Sequence, residues 1–224
     1  MLNDTHNKSL RRAKLNKMKP GFEVILFDLG GVLVELGHHP IPPDWLPAES
    51  QFDLSDWFSS ETAISFEKGL VSPQQFAETL KKDLKIEASP ESIIEHFTHW
   101  PVGLFPGVHE LLRSLEKKYR LAILSNTNEL HWPRITGEFK IAKYFEQIFA
   151  SHQLQKAKPE FEIFEHVVSE LEVDPGKILF LDDNQDNVTV SRKLGIHAIH
   201  TKGIKQARQT LSDVGVISED YNFD

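Results

Sequence analysis

The chain has 224 residues, 40% of them hydrophobic and 26% charged, with a net charge of −8 and no cysteine. That length builds one sizeable core and a smaller appendage, and the acidic balance excludes a nucleic-acid backbone as partner over most of the surface. Without cysteine there is no disulfide framework and no thiolate chemistry; no apolar run reaches the ~20 residues of a membrane span, and no secretory h-region opens the chain. The expectation is a cytoplasmic protein with no membrane partner.

Residues 1–20 form a polar tail carrying Arg11, Arg12, Lys14, Lys17 and Lys19 and ending at Pro20. The first predicted strand is the apolar run Val24–Asp28, which runs into the turn Asp28-Leu29-Gly30-Gly31. Residues 39–100 then break the strand rhythm, opening on the proline-rich link HPIPPDWLP. Two helix starts follow, Ser72-Pro73 and Ser89-Pro90, with Ser suited to the N-cap and Pro to the first helical position. Trp45, Trp57 and Trp100 fall in this stretch or at its hinge and are expected to pack its small core, one of them facing a substrate entrance.

After Pro106-Gly107, the apolar residues Val108, Leu111, Leu112 and Leu115 predict a helix. Strands are predicted at Leu121–Ser125, Ile148–Ser151, Ile178–Asp182 and Ala198–His200. One helix between them runs from Pro159, with Phe161, Phe164, Val167, Val168 and Leu171, and another holds Val188, Val190 and Leu194 and stops at Gly195. Alternating strand and helix imply an α/β fold: a three-layer, Rossmann-like parallel sheet with helices on both faces. A small all-α cap, residues 39–100, is inserted after the first strand, leaving 21–38 and 101–224 as the core.

In an open parallel sheet, ligands bind beyond the carboxyl ends of the strands. The first strand leaves Asp28 there, and the second leaves Ser125, Asn126 and Thr127. Lys158 follows the third, and Asp182 and Asp183 close the fourth. Singly, each residue has a structural use as a turn, a helix cap or a solvated lysine. Together, in this order, they converge on one cleft.

These segments resemble the haloacid dehalogenase-like superfamily, in its phosphatase branch with a small helical cap. The resemblance is carried by FDLGG, FPGVHELLRSLEKKYRLAILSNTN, KAKPEFEIFEHVV and ILFLDDNQDNVTVSRKLGI, and by FEKGLVSPQQF at 66–76. It implies Asp28 as the nucleophile that forms an aspartyl-phosphate. It implies Ser125 and the Asn126 amide as phosphoryl hydrogen-bond donors, Lys158 as the neutralising cation, and Asn187 as support for the fourth loop. Mg²⁺ would be held by Asp28, the Gly30 carbonyl and Asp183, with Asp182 in or next to that shell. The substrate would be a small-molecule phosphate ester, with sugar 1-phosphates suggested by the FDLG start, and the protein a monomer or homodimer.

Most phosphatases of that superfamily carry a second Asp two places after the nucleophile, as general acid and base. Here that place is Gly30, which keeps a carbonyl and loses the proton donor. The expectation is a bias toward leaving groups that depart without a proton, with Glu35 and His38 as candidate replacements. Two rival readings follow from Gly30: a 2-haloacid dehalogenase, against which Asp182-Asp183 argues, and a non-catalytic relative. The pairs His38-His39, His96 with His99, and His197 with His200 lack a third ligand and are read as surface or packing residues.

Overall fold

The computed structural model describes residues 21–49, 57 and 60–218; the basic segment 1–20 lies outside them. Its elements are β1 (Val24–Phe27), β2 (Val34–Leu36), α1 (Glu61–Glu67), α2 (Pro73–Leu84), α3 (Pro90–Thr98), β3 (Pro101–Leu104) and α4 (Val108–Leu115). They continue as β4 (Arg120–Ser125), β5 (Gln147–Ala150), α5 (Ser151–Leu154), α6 (Phe161–Leu171), β6 (Ile178–Asp182), α7 (Gln185–Lys193), β7 (His197–His200) and α8 (Gly203–Asp213).

Five strands form one parallel sheet in the order β5-β4-β1-β6-β7. The central strands are buried on both faces, which explains their unbroken apolar runs. Alternate residues serve opposite layers. Ile25, Phe27, Ile123 and Leu181 join the core under α4 and α8, whereas Val24, Leu26, Leu124 and Phe180 join the one under α6 and α7. The strand order reverses beside β1, so the carboxyl ends of β1, β4 and β6 open on a common crevice.

The five predicted strands lie within a residue of the observed ones, and α2, α3, α4, α6 and α7 occupy the predicted helical stretches, but α1, α5, α8 and a small strand pair were not predicted. β2 and β3 form a separate antiparallel pair, irregular at Glu35/Leu36. Residues from 39 to 100 leave and return through this pair. Their helices pack around a cluster of their own, with Trp57, Phe66, Phe76, Ile93, Phe97 and Trp100 buried in it and the Phe66 and Phe76 rings stacked at 4.2 Å. Both predicted serine caps form: Ser72 accepts from Gln75 N in a full capping box, and Ser89 accepts from Ser92 N. Among the described residues, no helix is long and apolar enough to cross a membrane.

Candidate active site

Asp28 follows β1 directly. Its backbone amide still bonds to Leu181 O at 2.9 Å, and its Oδ1 accepts from Leu29 N at 2.7 Å. The side chain is buried at the crevice floor. Lys158 reaches it from the loop after α5, with Nζ 2.9 Å from Asp28 Oδ1 and 2.7 Å from Asp182 Oδ2. The Asn126 side-chain amide clamps the lysine backbone: its Oδ1 accepts from Lys158 N at 2.8 Å and its Nδ2 donates to Lys158 O at 2.9 Å. Ser125 ends β4, and its hydroxyl has only a long 3.3 Å contact with the Asn126 carbonyl, which leaves it available to a ligand.

Asp182 and Asp183 differ sharply although adjacent. Asp182 is fully buried, and its oxygens are occupied: Oδ1 accepts from Asn184 N and Asn187 Nδ2, and Oδ2 from Lys158 Nζ and Asn187 Nδ2. Asp183 turns into the cavity. Carboxylate oxygens of Asp28, Asp182 and Asp183 all lie within 4.8 Å of one another. Lys158 is ion-paired with two of these three carboxyl groups, and its charge and that of Lys202 also act on Asp183. Burial pushes the Asp28 carboxyl up, Lys158 pulls it back, and Asp182 and Asp183 push it up again, to about 8. Asp183 is raised too, by burial and then by Asp182.

The turn between β1 and β2 needs its second glycine. Gly31 has φ +69°, and a Cβ there would run into the Asp183 carboxylate. Gly31→Ala is expected to cost about 1–3 kcal/mol of stability, read as a lowered unfolding midpoint, and to push Asp183 out of the cluster. Gly30 has no such constraint: a Cβ there would meet only Leu36, with Cδ1 at 3.3 Å.

A cavity of about 530 Å³ stands over this floor and is lined by Asp28, Gly30, Ser125, Asn126, Lys158 and Asp183. Its walls also include Val34, Leu36, Trp100 and Ile135. Glu35 and His38 do not line it. Val34 and Leu36 face inward along β2, so by strand alternation Glu35 faces out and is exposed. His38 lines a separate shallow hollow with His39, His96 and His99. Glu67 and His131 line the main cavity with no role read for them in the sequence. FEKGLVS, the segment that holds Glu67, is the signal that was available.

The family model described as haloacid dehalogenase-like hydrolase matches residues 55–201. The chain belongs to that family. It is 26% identical over 201 residues to a D-ribitol-5-phosphate phosphatase from Bacteroides thetaiotaomicron, covering 84% of this chain and 96% of that one. It is 28% identical over 195 residues to a sesquiterpene phosphatase from Aspergillus oryzae, covering 80% and 89%. Among solved structures, it resembles a haloacid dehalogenase family enzyme from Bacteroides thetaiotaomicron in complex with magnesium and inorganic phosphate. That match has a TM-score of 0.68 at 29% identity and covers 81% and 95% of the two chains. The chain is thus a family hydrolase, and the two curated relatives just described are phosphatases.

Proposed function

We propose that this hydrolase is a Mg²⁺-dependent phosphatase acting on a small phosphorylated metabolite, such as a sugar or polyol phosphate. The observation that carries the reading is the convergence of Asp28, Lys158, Ser125 and Asp183 on one cavity floor. The substrates named for the relatives support a phosphate ester. The apolar wall of Val34, Leu36, Trp100 and Ile135 suits the organic part of the ester. Residues 39–100 act as the cap that sets specificity, over a core of 21–38 and 101–224.

The donor set fits Mg²⁺. Three crowded carboxyl groups, with Lys158 ion-paired to two of them, favour a further cation, and the free donors are hard oxygens. Asp28, Asp183 and the Gly30 carbonyl would hold the ion. Asp182 is assigned instead to positioning Lys158, because its lone pairs are already engaged. Bound there, the cation offsets charge on the phosphoryl oxygens.

The protein groups do the rest. Leu29 N and Lys158 fix the Asp28 carboxylate for in-line attack on phosphorus. As the Asp28–phosphorus bond forms, the bond to the ester oxygen breaks. Ser125 Oγ and Asn126 N donate to the phosphoryl oxygens, and Lys158 balances their charge. Water then attacks phosphorus and releases phosphate from Asp28.

A panel of phosphate monoesters assayed with and without Mg²⁺ tests the reading. Turnover should require Mg²⁺, vanish with EDTA and return when the ion is restored. No turnover across the panel with Mg²⁺ present would overturn it. Activity on a 2-haloacid that survives EDTA would assign a dehalogenase instead.

A further inference from the structure

A phosphatase with glycine at position 30 needs its proton from somewhere else. We propose that Glu67, carried on the inserted helices, is the general acid and base of this site. The proposal rests on the phosphatase reading above and deepens it.

Three contacts deliver Glu67 to the cavity. The Ser151 hydroxyl lies 2.5 Å from the Glu67 carbonyl and 2.9 Å from the Thr127 carbonyl, while accepting from Thr127 N. Ser151 thus joins the end of α1 to the loop that bears Ser125 and Asn126. Lys68 pairs with Glu160, next to the Lys158-Pro159 loop. Gly69, at φ +64°, lies so close to the His152 carbonyl that no Cβ would fit. The turn Glu67-Lys68-Gly69 is therefore seated on the core, and its glutamate lines the same cavity as Asp28.

The other titratable groups on that cavity are already committed. His131 has both ring nitrogens engaged, Nε2 with Phe97 O and Nδ1 with Asn128 Nδ2. His200 Nε2 donates to the Asp183 carbonyl. Lys158 is held as a cation between Asp28 and Asp182. Asp28 and Asp183 serve the phosphoryl group and the metal. Behind the turn, burial lowers the proton affinity of His152. Burial pushes the Glu67 carboxyl up, against the Lys158 charge and a hydrogen bond from Asn126, to about 7. A group titrating there can donate and accept a proton at neutral pH.

The step balances. As Asp28 attacks and the phosphorus–ester oxygen bond breaks, the leaving oxygen takes the Glu67 proton. The Glu67 carboxylate then takes a proton from the water that attacks the aspartyl-phosphate, and phosphate leaves as the phosphorus–Asp28 bond breaks. Gly30 has lost a proton donor that the cap restores, so alkyl phosphates become competent substrates.

The test compares wild type, Glu67→Gln and Glu67→Gln with Gly30→Asp, all with Mg²⁺, on an alkyl phosphate and on 4-nitrophenyl phosphate. Glu67→Gln should lower kcat/KM for the alkyl ester by about 10²–10³-fold and for the aryl ester by less than about 10-fold. Adding Gly30→Asp should restore alkyl turnover by at least about 10-fold, because Leu36 can give way at that position. In wild type, alkyl turnover should fall above about pH 7, with a weaker fall for the aryl ester; this needs no variant. Equal losses on both esters, a change confined to KM, or an unaltered basic limb in Glu67→Gln would overturn the proposal while leaving the phosphatase reading intact. A wild type that hydrolyses neither ester would overturn both.

Discussion

Asp28→Asn is expected to lower kcat on every phosphate ester by at least about 10⁴-fold, as removal of a covalent nucleophile does. The fold should survive. Asparagine keeps an oxygen for Leu29 N and Lys158 Nζ, both of which bond to Oδ1. It also removes one of three crowded carboxyl groups. Without metal, Asp28 holds its proton up to about pH 8, against an ordinary value of 3.8. Between those values the folded chain binds more protons than the unfolded one, so this group makes stability fall as pH rises. The metal-free wild type should therefore lose unfolding midpoint from pH 5 to 9, and Asp28→Asn should lose less. Circular dichroism melts in EDTA read this directly. Retained turnover in Asp28→Asn would remove the nucleophile from Asp28.

Much of this site could be read along the chain because its residues sit at strand ends. Asp28 ends an unbroken apolar run, Ser125 closes β4, and Asp182 closes β6. A buried strand followed by a polar residue is a local pattern, and parallel pairing then brings such ends together. The β2–β3 pair was invisible for the opposite reason. Val34–Leu36 is three residues long, and its partner lies beyond the inserted helices, so pairing between distant segments makes the strand. That same pair decided the fate of Glu35: once Val34 and Leu36 face the cavity, Glu35 cannot. Glu67 was hidden at a further level. Its place depends on α1, a seven-residue helix capped by Ser60, and on the seating of that helix against Ser151 and Glu160. Those contacts span more than 80 residues of chain. No local spacing encodes them.

Lys158→Met should produce the largest loss of stability among changes at this site, about 3–5 kcal/mol in the metal-free protein. The side chain is almost wholly buried, and its ammonium bridges two carboxylates. Methionine fills the space of the stem but leaves Asp182, which has no solvent access, without a counter-charge. The remaining donors to Asp182, from Asn184 N and Asn187, are neutral. If the cost is that of an uncompensated buried charge, removing the charge should relieve it. Lys158→Met with Asp182→Asn should then be more stable than Lys158→Met alone, with a coupling of at least about 1 kcal/mol. Recovery will be incomplete, because an asparagine amide turned toward Asn187 meets a donor where the carboxylate offered an acceptor. Both variants should be inactive, since neither can balance the phosphoryl charge. Urea unfolding of the two variants and of Asp182→Asn closes the cycle. Additive effects would mean that Lys158 stabilises the protein by packing alone, and would detach its role in the fold from the charge balance that the proposed chemistry requires.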